Sequence, residues 1–277
     1  MLNPGITQRV VSRMDDGCPP RSIHDELAIE EPLEIRVAGD PVAVTMRSPG
    51  EDARLAVGFL FSEGIIASIE DVGRVFHCGR PGTEGYGNAI DVLPAPGHNL
   101  DIERVSASRR GTLTTSACGV CGRQDVADLV ARCSVLPPGP EIPAELLIKS
   151  IDGMRRIQPT FTHTGGVHAA AAFDRDGRTL VCCEDVGRHN AVDKAVGALL
   201  FDRLVGASAG PVLLAVSGRA SFEIVQKAAV AKIPVVASVS AASSLAVDLA
   251  SDVGITLAGF VRRKSFNLYA HPERVAQ

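Results

Sequence analysis

The chain has no tryptophan, two tyrosines and only 4% aromatic residues among 277. A core without large rings must be built from Val, Leu, Ile and Ala, which suits close-packed layers of helix on sheet. A basic excess is also missing. The net charge is −4 and the pI about 6.0, so no global field gathers nucleic acid. No uncharged apolar run reaches the roughly 18 residues that would span a membrane. The stretch Met1 to Arg9 lacks the apolar segment of a secretory signal. The seven cysteines are odd in number and unevenly spaced, which argues against a disulfide framework and for reduced thiols in a cytoplasm.

What is present is ample apolar material, 45% of the chain, enough for one large domain or two medium ones. Residues 1–25 are polar, carry Pro19-Pro20 and show no periodicity, so they read as a mobile or loosely packed arm. Glu31–Val37 and Val42–Met46 flank Gly39-Asp40 and read as a hairpin. Ser48-Pro-Gly-Glu-Asp52 opens a helix from Ala53 to Glu63, closed by Gly64. A short strand is expected near Ala89–Val92. Leu136-Pro-Pro-Gly-Pro140 is the strongest linker. It divides the chain into an N-terminal domain, 26–138, and a C-terminal domain, 139–277. The second half alternates apolar strands with helices: Val167–Phe173, Thr179–Cys183, Asn190–Leu204, Pro211–Val216, Ser221–Ala231, Pro234–Val239, Ser243–Ser251 and Ile255–Phe260. That alternation predicts an α/β (α+β overall) fold whose sheet is partly parallel and covered on both faces.

Four segments carry candidate chemistry. Ser116-Ala-Cys-Gly-Val-Cys-Gly122 holds two thiols, Cys118 and Cys121, among glycines and small residues that leave them accessible. Such a pair often lowers one thiol pKa, and only the thiolate attacks. A structural zinc needs four ligands. There is no second Cys-x-x-Cys, and Cys182 and Cys183 point to opposite faces of a strand. Only His77, Cys78 and Cys133 are available to complete a site, so no structural zinc or other metal is expected. Sulfur transfer and a simple dithiol redox cycle both stay open here. Cys183-Glu-Asp-Val-Gly-Arg-His-Asn190, with Asp193-Lys194, places polar groups where an apolar strand ends and a helix begins. Ligands gather there, with Arg188 and His189 facing a phosphate or a purine edge. The plainer reading has Asn190 as an N-cap and Asp193-Lys194 as a solvated pair. Ser217-Gly-Arg-Ala-Ser-Phe-Glu223 repeats the strand–glycine–helix pattern but is no Walker A sequence, and Lys227 is spaced to meet Glu223. With Ser238, Ser240, Ser243 and Ser244, these loops point to one shared pocket. Phe260-Val-Arg-Arg-Lys-Ser265 concentrates cations that suit a pyrophosphate.

Together these segments resemble the formate dehydrogenase accessory sulfurtransferase family of FdhD type. The resemblance rests on Glu31-Pro-Leu-Glu-Ile35, Val57-Gly-Phe-Leu-Phe-Ser-Glu-Gly64, Ser116–Gly122, Gly165-Gly-Val-His168, Glu184–Ala191, Ser217-Gly-Arg219, Ser221-Phe-Glu223, Leu257–Phe260 and Asn267-Leu-Tyr269. It implies a carrier that takes sulfur from a cysteine desulfurase. Delivery is to the molybdenum cofactor, a bis(molybdopterin guanine dinucleotide), before insertion into formate dehydrogenase. It further implies a homodimer and a persulfide on Cys118; Cys121 then either assists release of the sulfur or resolves the persulfide. The C-terminal half is expected to be a cytidine deaminase-like three-layer α/β/α sandwich, beside a smaller β-rich N-terminal domain. Phe260, Val261, Arg262, Arg263, Lys264 and Ser265 correspond to the family's nucleotide-cofactor segment. His189 and Ser217 are placed to hold guanine or ribose, and guanosine diphosphate is the expected mimic. The chain departs from the pattern at Arg263 and Lys232, where Gly is usual, and at Ala242-Ser243, in place of Pro-Thr. Zinc deamination does not fit: His168-Ala-Ala170 lacks the Glu of H-x-E, and the Cys-x-x-Cys lies upstream of the His. A binding-only cofactor chaperone and a dithiol oxidoreductase are the alternatives.

Overall fold

The computed structural model describes residues 5–83, 86–98, 100, 133–139 and 141–276. Cys118 and Cys121 lie outside the described residues. The larger sheet contains β8 (His168–Phe173), β9 (Thr179–Asp185), β10 (Leu213–Val216), β11 (Val235–Ser238), β12 (Thr256–Arg262) and β13 (Ser265–Ala270), in the order β13-β12-β11-β10-β8-β9. β10, β11 and β12 are parallel, and the other pairings are antiparallel. The four residues Ala169–Ala172 of β8 are all buried. Small side chains there let layers approach closely on both faces of the sheet.

The two faces are covered differently. Ala169, Ala171, Leu213, Ala215, Val235 and Ala237 pack in one cluster with Leu147, Ile151 and Met154 of α2 (Ala144–Arg156). Each of those three helix side chains contributes about 1.5–3 kcal/mol on burial. The opposite face carries α4 (Arg188–Phe201), α5 (Phe222–Val230) and α6 (Ser244–Val253). The predicted partly parallel sheet, covered on both sides, is therefore what forms. Between β9 and β10 the helix starts at Arg188, two residues before the expected Asn190, with Gly187 as its N-cap.

A second sheet, in the order β4-β3-β6-β5, uses β3 (Glu31–Val37), β4 (Asp40–Arg47), β5 (Val72–His77) and β6 (Ala89–Pro94). The predicted hairpin and short strand are both there; β5 is an addition. α1 (Asp52–Ser62) ends as predicted, with Gly64 in the left-handed region at φ 69. A single apolar cluster takes in Leu33 and Ile35 of this sheet, Leu55 and Leu60 of α1, Val192 and Val196 of α4, and Leu214 of the larger sheet. The core thus crosses the Pro-rich linker.

The first 25 residues, which read as an arm without periodicity, instead hold most of a hairpin. β1 (Ile6–Arg13) pairs with β2 (Arg21–Ala28) in antiparallel register. Both faces mix charge with apolar residues, as in the cross-strand pairs Arg9↔Asp25 and Val11↔Ile23. A strand with no wholly buried face has no clean alternation to reveal it. The hairpin leans on α3 (Pro159–Thr164): Glu26 Oε2 meets His163 Nδ1 at 2.9 Å. Two short strands, β7 (Ile142–Pro143) and β14 (Val275–Ala276), bring the linker beside the C-terminal end in parallel register.

α1 and α4 cross with their backbones in contact. A Cβ at Gly58 would lie 1.9 Å from the Asp193 carbonyl oxygen, and one at Gly197 would lie 1.9 Å from that of Arg54. Backbone cannot yield as a flexible side chain can, so both positions require glycine. Gly58→Ala and Gly197→Ala are each expected to cost at least about 2 kcal/mol, measured by urea unfolding. A control such as Gly139→Ala, where φ is not left-handed and the nearest atom would stand 3.7 Å from the added Cβ, should fall well short of that loss.

Candidate functional site

β9, β10, β11 and β12 run the same way and β8 runs against them. One edge of the larger sheet therefore collects four strand ends and the start of β8, the usual place for a ligand crevice. The loops meet there through hydrogen bonds. Ser217 Oγ accepts from the Ala169 amide at 2.9 Å and stands 3.5 Å from His168 Nδ1. Ser238 Oγ donates to the Gly218 carbonyl at 2.7 Å. The Ser243 amide donates to Ala220, and the Phe260 amide to Ser240. Ser217, the serine loop and Phe260 thus lie in one region of the sheet edge. The hydroxyls of Ser217 and Ser238 hold the loops together, and Ser243 caps α6 by accepting from Ala246.

The basic segment is the turn of the β12–β13 hairpin, with Arg262 paired to Ser265. Phe260 adopts φ 51 at an irregularity in that pairing. Its ring is partly exposed, while Val261 is wholly buried in the core. Arg262, Arg263, Lys264 and Ser265 are exposed. A bulge beside a ligand edge re-aims side chains in this way. β13, which the sequence reading does not include, places Phe266, Leu268 and Ala270 on its more buried face.

Much of the Glu184–Lys194 motif turns out to bind the protein to itself. Glu184 accepts from the Thr160 and Phe161 amides, both at 2.8 Å, and so caps α3. Asp185 is fully buried and meets Lys194 Nζ at 2.8 Å. It also accepts from the amides of Ser48 and Gly187 and from the Asn190 side chain. Asn190, in the helix rather than at its cap, donates to the Met46 carbonyl at 2.7 Å. Asp193 and Lys194 are not a solvated pair: both are buried, and successive helical residues face different neighbours. Asp193 meets Lys227 at 2.7 and 2.9 Å and accepts from Ser62. Lys227 therefore serves Asp193, and Glu223 turns to His189, its Oε2 lying 2.8 Å from His189 Nε2. Burial pushes the carboxyls of Asp185 and Asp193 up, and the adjacent lysines pull them back.

Arg188 and His168 are two groups at the loop edge that this frame of ion pairs does not absorb. A Cβ at Gly218 would stand 3.4 Å from Arg188 and from His168 Nδ1, so the three line one spot. Burial, then the charge of Arg188, lowers the His168 pKa and favours neutral imidazole. Arg188 Nε is buried without a hydrogen-bond partner among the described residues. A cation beside a neutral ring and a glycine turn suits a phosphate oxygen. His189 has Ser221 Oγ at 3.3 Å as well as Glu223, so it is held as part of a polar cluster and not left open. The pairing of Glu223 with His189 escapes sequence reading, since only the fold shows which neighbours are already taken.

Among the cysteines in the described residues, burial pushes Cys133 up to about 11, Cys182 up to about 12 and Cys183 further still. These are inert thiols at neutral pH. His77 stands 3.4 Å from Asp52, and no three His, Cys, Asp or Glu side chains gather as metal ligands among the described residues. None of the described helices is long and apolar enough to cross a membrane.

The model of the FdhD/NarQ family matches residues 28–276. The chain belongs to the FdhD/NarQ family. A protein named Sulfur carrier protein FdhD from Anaeromyxobacter dehalogenans (strain 2CP-C) is 57% identical over 258 residues, covering 92% of this chain and 90% of its own. Its namesake from Streptomyces coelicolor is 46% identical over 275 residues, 97% of this chain and 95% of that one. A crystal structure from Desulfotalea psychrophila, described as a formate dehydrogenase accessory protein, shares the fold. Its TM-score is 0.76 at 24% identity, over 99% of this chain and 100% of that one. The FdhD/NarQ match takes in both the loop edge and the Cys118–Cys121 stretch.

The buried pairs give this FdhD/NarQ chain a measurable signature. Lys227→Met strands the Asp193 carboxylate and is expected to cost about 3–5 kcal/mol in denaturant unfolding, with most of it recovered in the double variant Asp193→Leu/Lys227→Met. A double variant no more stable than the single one would show that the pair is not the source of the loss.

Proposed function

We propose that this chain is a sulfur carrier in formate dehydrogenase maturation, working in the cytoplasm as a homodimer. The observation that carries the reading is a glycine-flanked Cys-x-x-Cys in a chain 57% identical to a protein named as a sulfur carrier. The burial of Cys133, Cys182 and Cys183, which raises their thiol pKa, makes these three weaker candidates for the nucleophile.

In the proposed step the Cys118 thiolate attacks the outer sulfur of a cysteine desulfurase persulfide. The donor's S–S bond breaks, its cysteine leaves as thiolate, and Cys118 carries the sulfur as a persulfide. Cys121 assists its release. The substrate that receives the sulfur is the molybdenum cofactor bound as cargo, a bis(molybdopterin guanine dinucleotide), which then passes to formate dehydrogenase. The loop edge is where its nucleotide ends dock. Arg188 and His168 face a phosphate, with His189, Ser217 and the Gly218 turn around them. Exposed Arg262, Arg263 and Lys264, with Phe260 and Ser265, form the rim.

Mass spectrometry after incubation with a cysteine desulfurase and cysteine tests the carrier. The wild type is expected to gain one sulfur atom, and Cys118→Ala to gain none. A loss of two hydrogens in place of the gain would mark a dithiol oxidoreductase, and unchanged loading in Cys118→Ala would sink the assignment. Docking is tested separately by calorimetry with guanosine diphosphate. Arg188→Ala should weaken binding about 10- to 100-fold, the value of a charge-assisted contact. Arg262→Ala with Arg263→Ala should weaken it less, by an amount that shrinks as salt rises. Affinity untouched in both variants would remove the loop edge from the proposal. Nucleotide affinity and cargo delivery that survive loss of both thiols would leave only a binding chaperone.

A further inference from the structure

Of the seven histidines, five have a carboxylate within 3.4 Å: His77, His98, His163, His189 and His271. His168, at the loop edge, forms no ion pair among the described residues. Its neighbours are mostly cationic. Arg188 and the His168 ring flank the Gly218 turn, each 3.4 Å from where a Cβ there would stand. His189 follows Arg188 on α4 and is held by Glu223 at 2.8 Å. Arg219, next along the turn, is exposed. Asp185 stands opposite His168 in the β8–β9 register, yet its carboxylate is already bound to Lys194 and Asn190. Burial first, then Arg188 and His189, therefore keep the His168 ring deprotonated against the weaker pull of Asp185. The one hydrogen-bonding group at its Nδ1 is Ser217 Oγ, 3.5 Å away, which also accepts from the Ala169 amide. A hydroxyl can donate to a bare ring nitrogen or accept from a protonated one, so this neighbour suits either state of the ring.

A pyrophosphate esterified at both ends brings two negative charges to this spot, against the single positive charge of Arg188. Its arrival reverses the sign of the field at the imidazole, and the missing counter-charge is supplied by the ligand. We propose that docking of the cofactor's nucleotide end is proton-coupled: the bound pyrophosphate draws a proton from solvent onto His168, and loss of that proton loosens the grip. This coupling rests on the nucleotide-docking proposal and adds the residue through which pH sets cargo affinity. The sign follows from linkage. The free ring gives up its proton below the usual value of 6.5, and the bound ring keeps it to a higher pH. Affinity is therefore greatest on the acid side and falls as pH rises through that interval. The five histidines already facing carboxylates have no such change of neighbour on docking.

Calorimetry of the full chain with guanosine diphosphate mannose, at fixed ionic strength, tests the coupling. The sugar ester lacks the terminal phosphate proton that guanosine diphosphate itself loses at about pH 6, so the ligand does not titrate in the same interval. Titrations at roughly pH 6.5 in two buffers of different ionisation enthalpy read the protons taken up. The wild type is expected to take up a fraction of one proton, with affinity falling about tenfold between roughly pH 5.5 and 8.5. His168→Gln should bind with no uptake and a flat profile. Binding without uptake, or uptake unchanged in His168→Gln, overturns the coupling and leaves the docking site standing. Absence of binding at every pH overturns both. Should His168→Gln fold poorly, the histidine ring-proton resonances of the wild type decide. One that titrates below the usual range in the free protein must move upward in the complex, and midpoints that stay put count against the coupling.

Discussion

The Asp185 carboxylate accepts from Lys194, from two backbone amides and from Asn190, and these bonds join the end of β9 to the start of α4 and to the segment after β4. One helical turn away Asp193 meets Lys227 of α5 and Ser62 of α1. α4 is therefore the member on which both sheets hang. Its apolar side chains supply the shared core, and its Asp193 and Lys194, each in a buried ion pair, fix the register in which that core closes. Buried ion pairs add little net stability against a well-packed apolar alternative, because desolvation offsets their attraction. Their value here is geometric. Each has a single satisfied arrangement, and that arrangement aims Arg188 toward the loop edge.

The contact of α1 with α4 depends on the same economy of space. Gly58 and Gly197 let two backbones touch, which brings Ser62 within 3.0 Å of Asp193. Further along, Arg47 forks onto Asp52 at 3.0 and 3.3 Å and reaches Glu31 and the Gly87 carbonyl. The smaller sheet is thus held by charge at its edge and by hydrocarbon beneath. A rigid frame of this kind leaves the ligand-facing work to a few residues whose neighbours do not already occupy them.

One position shows the cost of departing from a pattern. Lys232 follows α5 with φ 57, and the amides of Lys232 and Ile233 close the helix onto Ala229 and Ala228. A left-handed residue at such a helix end is usually glycine, and a side chain there carries about 1 kcal/mol of strain. The resemblance to FdhD-type chains places glycine at this site, and the backbone geometry gives the reason.

Strands buried on both faces, such as Leu213–Val216 and Val235–Ser238, were legible because their composition is set by burial alone. The hairpin Ile6–Ala28 was not, since both of its faces mix charged and apolar residues, and the six-residue strand Ser265–Ala270 follows a basic turn that drew the reading instead. In the site, the sequence by itself determined which loops carry polar groups after apolar strands, and that two thiols, Cys118 and Cys121, sit among glycines. Only the tertiary structure decided which of those polar groups were already engaged. Asp193 and Lys194 are neighbours in the chain yet serve different partners, while Glu223 and His189 are 34 residues apart and meet at 2.8 Å. A helix turns successive side chains apart, and folding returns distant ones to each other, so pairing is a property of the packed chain and not of its spacing.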